Sequence, residues 1–98
     1  MRSKYEYFLY VDADTFYIPI KVFKVSGLFC IKSSIFENVI TSDTEENVYT
    51  RFENKLYEGL ITYHTTGQLW KIFPKYAPGF RAESCRLVAR PRRWWKLW

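Results

Sequence analysis

Histidine occurs once in these 98 residues and cysteine only twice. Those scarcities exclude much chemistry. His64 alone makes no catalytic triad, and with the distant Cys30 and Cys85 it supplies at most three soft ligands without paired spacing, so a zinc centre is not expected. Cys85 stands between Ser84 and Arg86 with no nucleophile signature around it. A basic neighbour lowers a thiol's pKa, but an inward-facing cysteine is the plainer reading. Runs of apolar residues are also missing: none approaches the roughly 20 needed to cross a bilayer, so no membrane span is expected. Residues 1–6 lack the basic and then apolar pattern of a secretory signal, which sets the cytoplasm as the expected location and leaves both thiols reduced. No internal repeat or low-complexity segment occurs, and the length suits a single domain.

Aromatic residues, by contrast, are abundant. They make up 20% of the chain, within a hydrophobic fraction of 48%, which is enough apolar area to offset the ordering entropy of a fold. So many rings exceed what one small core hides, and surface Trp and Tyr offer contact area at low entropic cost. The net charge of +5 is polarised: residues 1–36 carry +2, residues 37–58 carry −4, and residues 69–98 carry +7. The C-terminal third thus favours an acidic partner.

Residues 5–11 alternate Tyr5, Tyr7, Leu9 and Val11 against Glu6, Phe8 and Tyr10, the period of a strand. Asp12 to Asp14 turns the chain into a second strand over 15–25, which Pro19 must interrupt with an edge, bulge or break. Ser26 and Gly27 form a further turn, and residues 28–36 a third strand. The Ser42-Asp43-Thr44-Glu45 sequence matches a capping box, and Val48, Tyr49, Phe52, Leu56 and Leu60 recur at helical spacing, with Gly59 placed to stop the helix. Residues 60–65 and 68–73, separated by Thr66 and Gly67, read as a tight hairpin, and residues 82–89 as a short helix. The expected fold is α+β: an antiparallel sheet of about five short strands, one main helix after the third strand and a short C-terminal helix. Residues 1–90 form that domain and residues 91–98 a basic aromatic tail.

Two features invite chemical readings. Asp12 and Asp14, two residues apart, have the spacing to hold a divalent cation, but carboxylates in a turn commonly accept local backbone hydrogen bonds, and no nucleotide-binding βαβ unit accompanies them. The stronger feature is the chain end. Arg86, Arg90, Arg92, Arg93 and Lys96 are interleaved with Trp94, Trp95 and Trp98, and these residues are the expected partner-binding site. Guanidinium forks bind phosphates or carboxylates, and indoles stack on bases or fill apolar pockets. A single-stranded polynucleotide satisfies both, with Tyr5, Tyr7 and Tyr10 as further stacking platforms; so does an acidic, aromatic-lined protein groove. The competing reading folds the three indoles over the core and leaves the arginines solvated.

Through Gly27-Leu28-Phe29-Cys30, Leu69-Trp70-Lys71-Ile72-Phe73-Pro74 and Ala89-Arg90-Pro91-Arg92-Arg93, with its size and basicity, the chain resembles the bacteriophage accessory proteins of the anti-RecBCD family. The resemblance implies a non-enzymatic modulator that docks on the RecC subunit of the host RecBCD helicase-nuclease, in the host cytoplasm, and redirects recombination. The expectation is therefore a host-virus interaction protein with no cofactor, metal or small-molecule substrate. Its alternative is a sequence-tolerant single-stranded nucleic-acid-binding module.

Overall fold

The computed structural model describes residues 2–92. It is an α+β fold, but the strands form two antiparallel three-stranded sheets rather than one sheet of five. In the first, β1 (Tyr5–Val11) lies between β2 (Asp14–Ile18) and β6 (Cys85–Pro91); in the second, β4 (Leu28–Ser33) lies between β3 (Ile20–Val25) and β5 (Ile40–Ser42). Pro19 explains the division. It has no N–H for a ladder and falls between β2 and β3, so the expected second strand breaks there and its halves join different sheets. The β3–β4 hairpin turns at Ser26 and Gly27, which have φ of 50° and 80°, the signature of a two-residue turn matched to strand twist.

The helix α1 (Glu45–Thr65) has its N-cap two residues beyond the Ser42 that the capping box predicts. Thr44 is the N-cap, its Oγ1 accepting from the Asn47 N–H at 3.2 Å, whereas Ser42 ends β5 and donates to Asp43. Gly59 does not stop the helix. A Cβ there would meet the Phe36 ring at 3.4 Å, so this glycine admits a neighbouring ring. The chain continues helically through residues 60–65 because Leu60 extends the buried stripe of Val48, Tyr49, Phe52 and Leu56. Termination falls at Gly67 (φ 68°), where Gly67 N–H donates to His64 O at 3.3 Å and Gln68 N–H to Tyr63 O at 2.7 Å. That paired pattern is a helix C-cap, so the Thr66-Gly67 signal belongs to a helix end and not to a hairpin. Residues 68–73 accordingly hold a short 3₁₀ helix, Leu69–Lys71, in place of a strand.

Residues 82–89, expected as a helix, lie mostly in β6. The three-residue spacing of Ala82, Cys85 and Val88 reads as a helix face, but pairing with β1 imposes a period of two, which turns Cys85 and Leu87 inward and Arg86 and Val88 outward. The core joins both sheets to α1 through Tyr7, Leu9, Val11, Ile18, Val22, Ile31, Val48, Phe52, Leu56 and Leu60. Tyr7 packs edge-on against Phe52, with centroids 5.2 Å apart. The loop before β6 closes one end, with Leu69 and Ala82 buried and Phe73 stacked on Phe16 at 4.1 Å. Among the described residues no helix is long and apolar enough to cross a membrane.

Candidate functional site

The first sheet has one face in the core and one in solvent. Tyr7, Leu9 and Val11 of β1 are buried, so the strand's alternation turns Glu6, Phe8 and Tyr10 outward. Register then assembles a surface. On β2, Tyr17 lies opposite Phe8 and Thr15 opposite Tyr10; on β6, Arg90, Val88 and Arg86 lie opposite Glu6, Phe8 and Tyr10.

Arginine and aromatic side chains interlock across it. The Arg86 guanidinium carbon sits 5.3 Å from the Tyr10 ring centre and that of Arg90 5.2 Å from the Phe8 ring centre. Arg90 also donates from Nη2 to the Tyr10 hydroxyl at 2.8 Å. Phe8 and Tyr17 meet at 5.6 Å between centroids, and Tyr17 is 49% exposed. At the far end Arg92 Nε bonds Glu6 Oε1 at 3.3 Å. A shallow pocket of about 180 Å³ opens beside it, lined by Arg2, Ser3, Tyr5, Tyr17, Ile20, Lys21, Val22 and Arg92. Planar cations are thus held against rings on an open surface, with Glu6 as the acid of the three strands' outer rows.

Three of the six acidic groups of residues 37–58 lie together elsewhere. Glu45, Glu46 and Glu53 line a separate pocket with Lys4, Tyr5, Tyr49 and Thr50. Lys4 Nζ bonds Glu45 at 3.1 Å, which raises the lysine pKa, and burial alone pushes the Glu53 carboxyl upward.

The remaining candidates have structural work. Asp12 (φ 51°) accepts at Oδ1 from the N–H groups of Glu83 and Ser84 at 2.9 and 3.0 Å, anchoring the entry to β6. Asp14 bonds Lys75 Nζ at 2.8 Å and accepts from the Tyr76 hydroxyl at 3.1 Å. The lysine contact holds its pKa below the usual carboxylate value. Both carboxylates of the pair are engaged in this way, and among the described residues no group of three His, Cys, Asp or Glu is placed to hold a metal. His64 lies near the end of α1 and not in a strand; it shares a cavity of about 50 Å³ with Leu9, Tyr57, Leu60, Ile61, Cys85 and Leu87. Burial and the Asp12 charge push the Cys85 thiol up in pKa, opposite to what a thiolate nucleophile needs. Cys30 is buried, and both thiols are free.

Of the expected site residues, Arg86, Arg90 and Arg92 are brought together on this outer face, whereas Arg93, Trp94, Trp95, Lys96 and Trp98 lie outside the described residues. Of the expected stacking tyrosines, Tyr10 is on the surface, Tyr7 is fully buried and Tyr5 packs edge-on against Tyr49. Phe8 and Tyr17 were missed, although the charged Glu6 in the same alternating row marks which face meets water. No protein family, curated protein or solved structure matches the chain.

Proposed function

We propose that this chain is a non-enzymatic binding protein whose outer face on the first sheet takes a single-stranded polynucleotide without strong sequence preference. The observation that carries the reading is the interlocked row of Arg86 on Tyr10 and Arg90 on Phe8, with Tyr17 beside them. Guanidinium groups neutralise phosphates and release counterions, while rings and guanidinium planes both stack on any base. Because the arginines already rest on rings, little side-chain freedom is lost on binding. A salt titration with a labelled single-stranded oligonucleotide tests this: affinity at low salt that falls steeply as salt rises is expected, and no binding at low salt overturns it.

The second reading is a phage-type modulator docking on a host nucleic-acid-processing enzyme, such as RecBCD through RecC, in the host cytoplasm. It is favoured by the sequence that continues from Arg92 into Arg93, Trp94, Trp95 and Trp98, since Arg and Trp are residue types that dominate binding energy at protein interfaces, with Lys96 adding to the positive charge. Co-sedimentation with purified RecBCD separates the two, since a stoichiometric complex free of nucleic acid supports the modulator.

A further inference from the structure

The strand β6 is an edge: among the described residues its strand neighbour is β1, and nothing pairs its other side. Its register shows which groups are left over. Arg92 N–H bonds Lys4 O at 2.7 Å and Asp12 N–H bonds Ser84 O at 2.9 Å, at either end of the β1 pairing. Even-numbered β6 residues therefore point their backbone at β1. Cys85, Leu87 and Ala89 point theirs outward. Three consecutive donor and acceptor sets face away from the sheet, until Pro91 ends the series by lacking an N–H.

Below this edge lies an apolar socket. Tyr57 and Ile61 of α1 are 58% and 42% exposed, and with Leu60, Leu87 and Cys85 they line the cavity that also holds His64. The Nδ1 of His64 is buried without a hydrogen-bond partner. Above the edge, on the opposite face, stand Arg86 and Arg90. We propose that the β6 edge takes an added strand from a partner protein, an extended segment in which apolar side chains alternate with acidic ones. Its backbone pairs with Cys85, Leu87 and Ala89; its apolar side chains cover Tyr57 and Ile61, and its carboxylates face Arg86 and Arg90.

Charge selects this occupant over a second copy. Antiparallel β6–β6 pairing sets four arginines on one face of two adjacent strands, and in one register places Arg86 directly opposite the partner copy's Arg90. An acidic segment turns that repulsion into attraction. Arg86 and Arg90 are common to this edge and to the outer face, whereas the outward backbone groups of β6 and the Tyr57–Ile61 side belong to the edge alone.

The test uses the full chain, ¹⁵N-labelled, with an acetylated peptide of sequence Glu-Val-Glu-Leu-Glu-Val-Glu. The comparator holds the same residues with its acids consecutive. The amides of Cys85, Leu87 and Ala89 are expected to exchange rapidly in the free protein and at least about tenfold more slowly with the alternating peptide, and the comparator to bind on the order of tenfold more weakly. Ala89→Pro removes one outward N–H without touching a β1 bond and is expected to weaken binding about tenfold, with β1 amides still protected. The proposal is overturned if no new protection appears or if the two peptides bind equally. It is also overturned if those amides are already slow in the free protein, whether at all concentrations, as when residues 93–98 cover the edge, or only at high concentration, as in self-pairing. Tyr17→Ala, which removes an exposed β2 ring of the proposed polynucleotide face without touching Arg86 or Arg90, is expected to weaken oligonucleotide binding and leave peptide binding intact.

Discussion

Arg90→Ala perturbs the outer face at the point where its cation and ring contributions meet. The substitution removes the guanidinium resting on Phe8 and the donor to the Tyr10 hydroxyl. Arg92 is engaged by Glu6, so Arg86, Arg90 and Lys21 are the cations counted as phosphate contacts. With about 0.7 of log–log slope per contact on a single strand, three contacts give a slope near −2, and affinity falls roughly 20-fold between about 50 and 200 mM salt. In Arg90→Ala two contacts remain, and the same salt interval is expected to cost only about 7-fold. Fluorescence anisotropy of a labelled oligothymidylate across that range reads both slopes. Arg90→Lys retains the charge but not the plane, so it is expected to keep the slope and bind more weakly at every salt concentration. The side chain is exposed, and the fold is expected to lose less than about 1 kcal/mol on its removal. An unchanged slope in Arg90→Ala, with binding otherwise intact, refutes the assignment of Arg90 to a phosphate.

Gly67→Ala is expected to destabilise by about 2–4 kcal/mol, since φ is +68° and the new Cβ lies 2.9 Å from the Gly79 Cα. Gly79→Ala, with φ +88° but nothing within 4 Å, is expected to cost about 1 kcal/mol, and urea midpoints compare the two. Burial, followed by the Asp14 hydrogen bond, pushes the Tyr76 hydroxyl from 10.0 up to about 12. A raised folded pKa means that this contribution is complete below pH 10 and is lost as the pH rises toward about 12. Alkaline stability profiles of the parent and Tyr76→Phe measure it, and the variant is expected to show a shallower decline in that window.

The parts of the fold read correctly from sequence are those fixed by near neighbours. Strand alternation over residues 5–11, the Ser26-Gly27 turn and the interruption at Pro19 each follow from a local backbone property. Misread segments were settled by distant partners. Gly59 looked like a stop because its packing partner, Phe36, lies 23 positions away, and residues 82–89 resembled a helix until β1 offered a ladder. Thr66-Gly67 is a turn signal in either context; what distinguishes a helix end from a hairpin is whether Leu60 joins the core stripe. At the candidate site, the arginines at 86, 90 and 92 were legible as a basic cluster. Their ring partners were not, because Phe8 and Tyr10 meet them only through a register spanning some 80 positions.

Chemical-shift mapping of the ¹⁵N-labelled protein with single-stranded oligothymidylate at low salt tests the central claim most directly. The largest changes are expected on Phe8, Tyr10, Tyr17, Arg86 and Arg90, with α1 left unmoved. Changes confined to residues 93–98, or centred on the acidic pocket around Glu45 and Glu53, would contradict it.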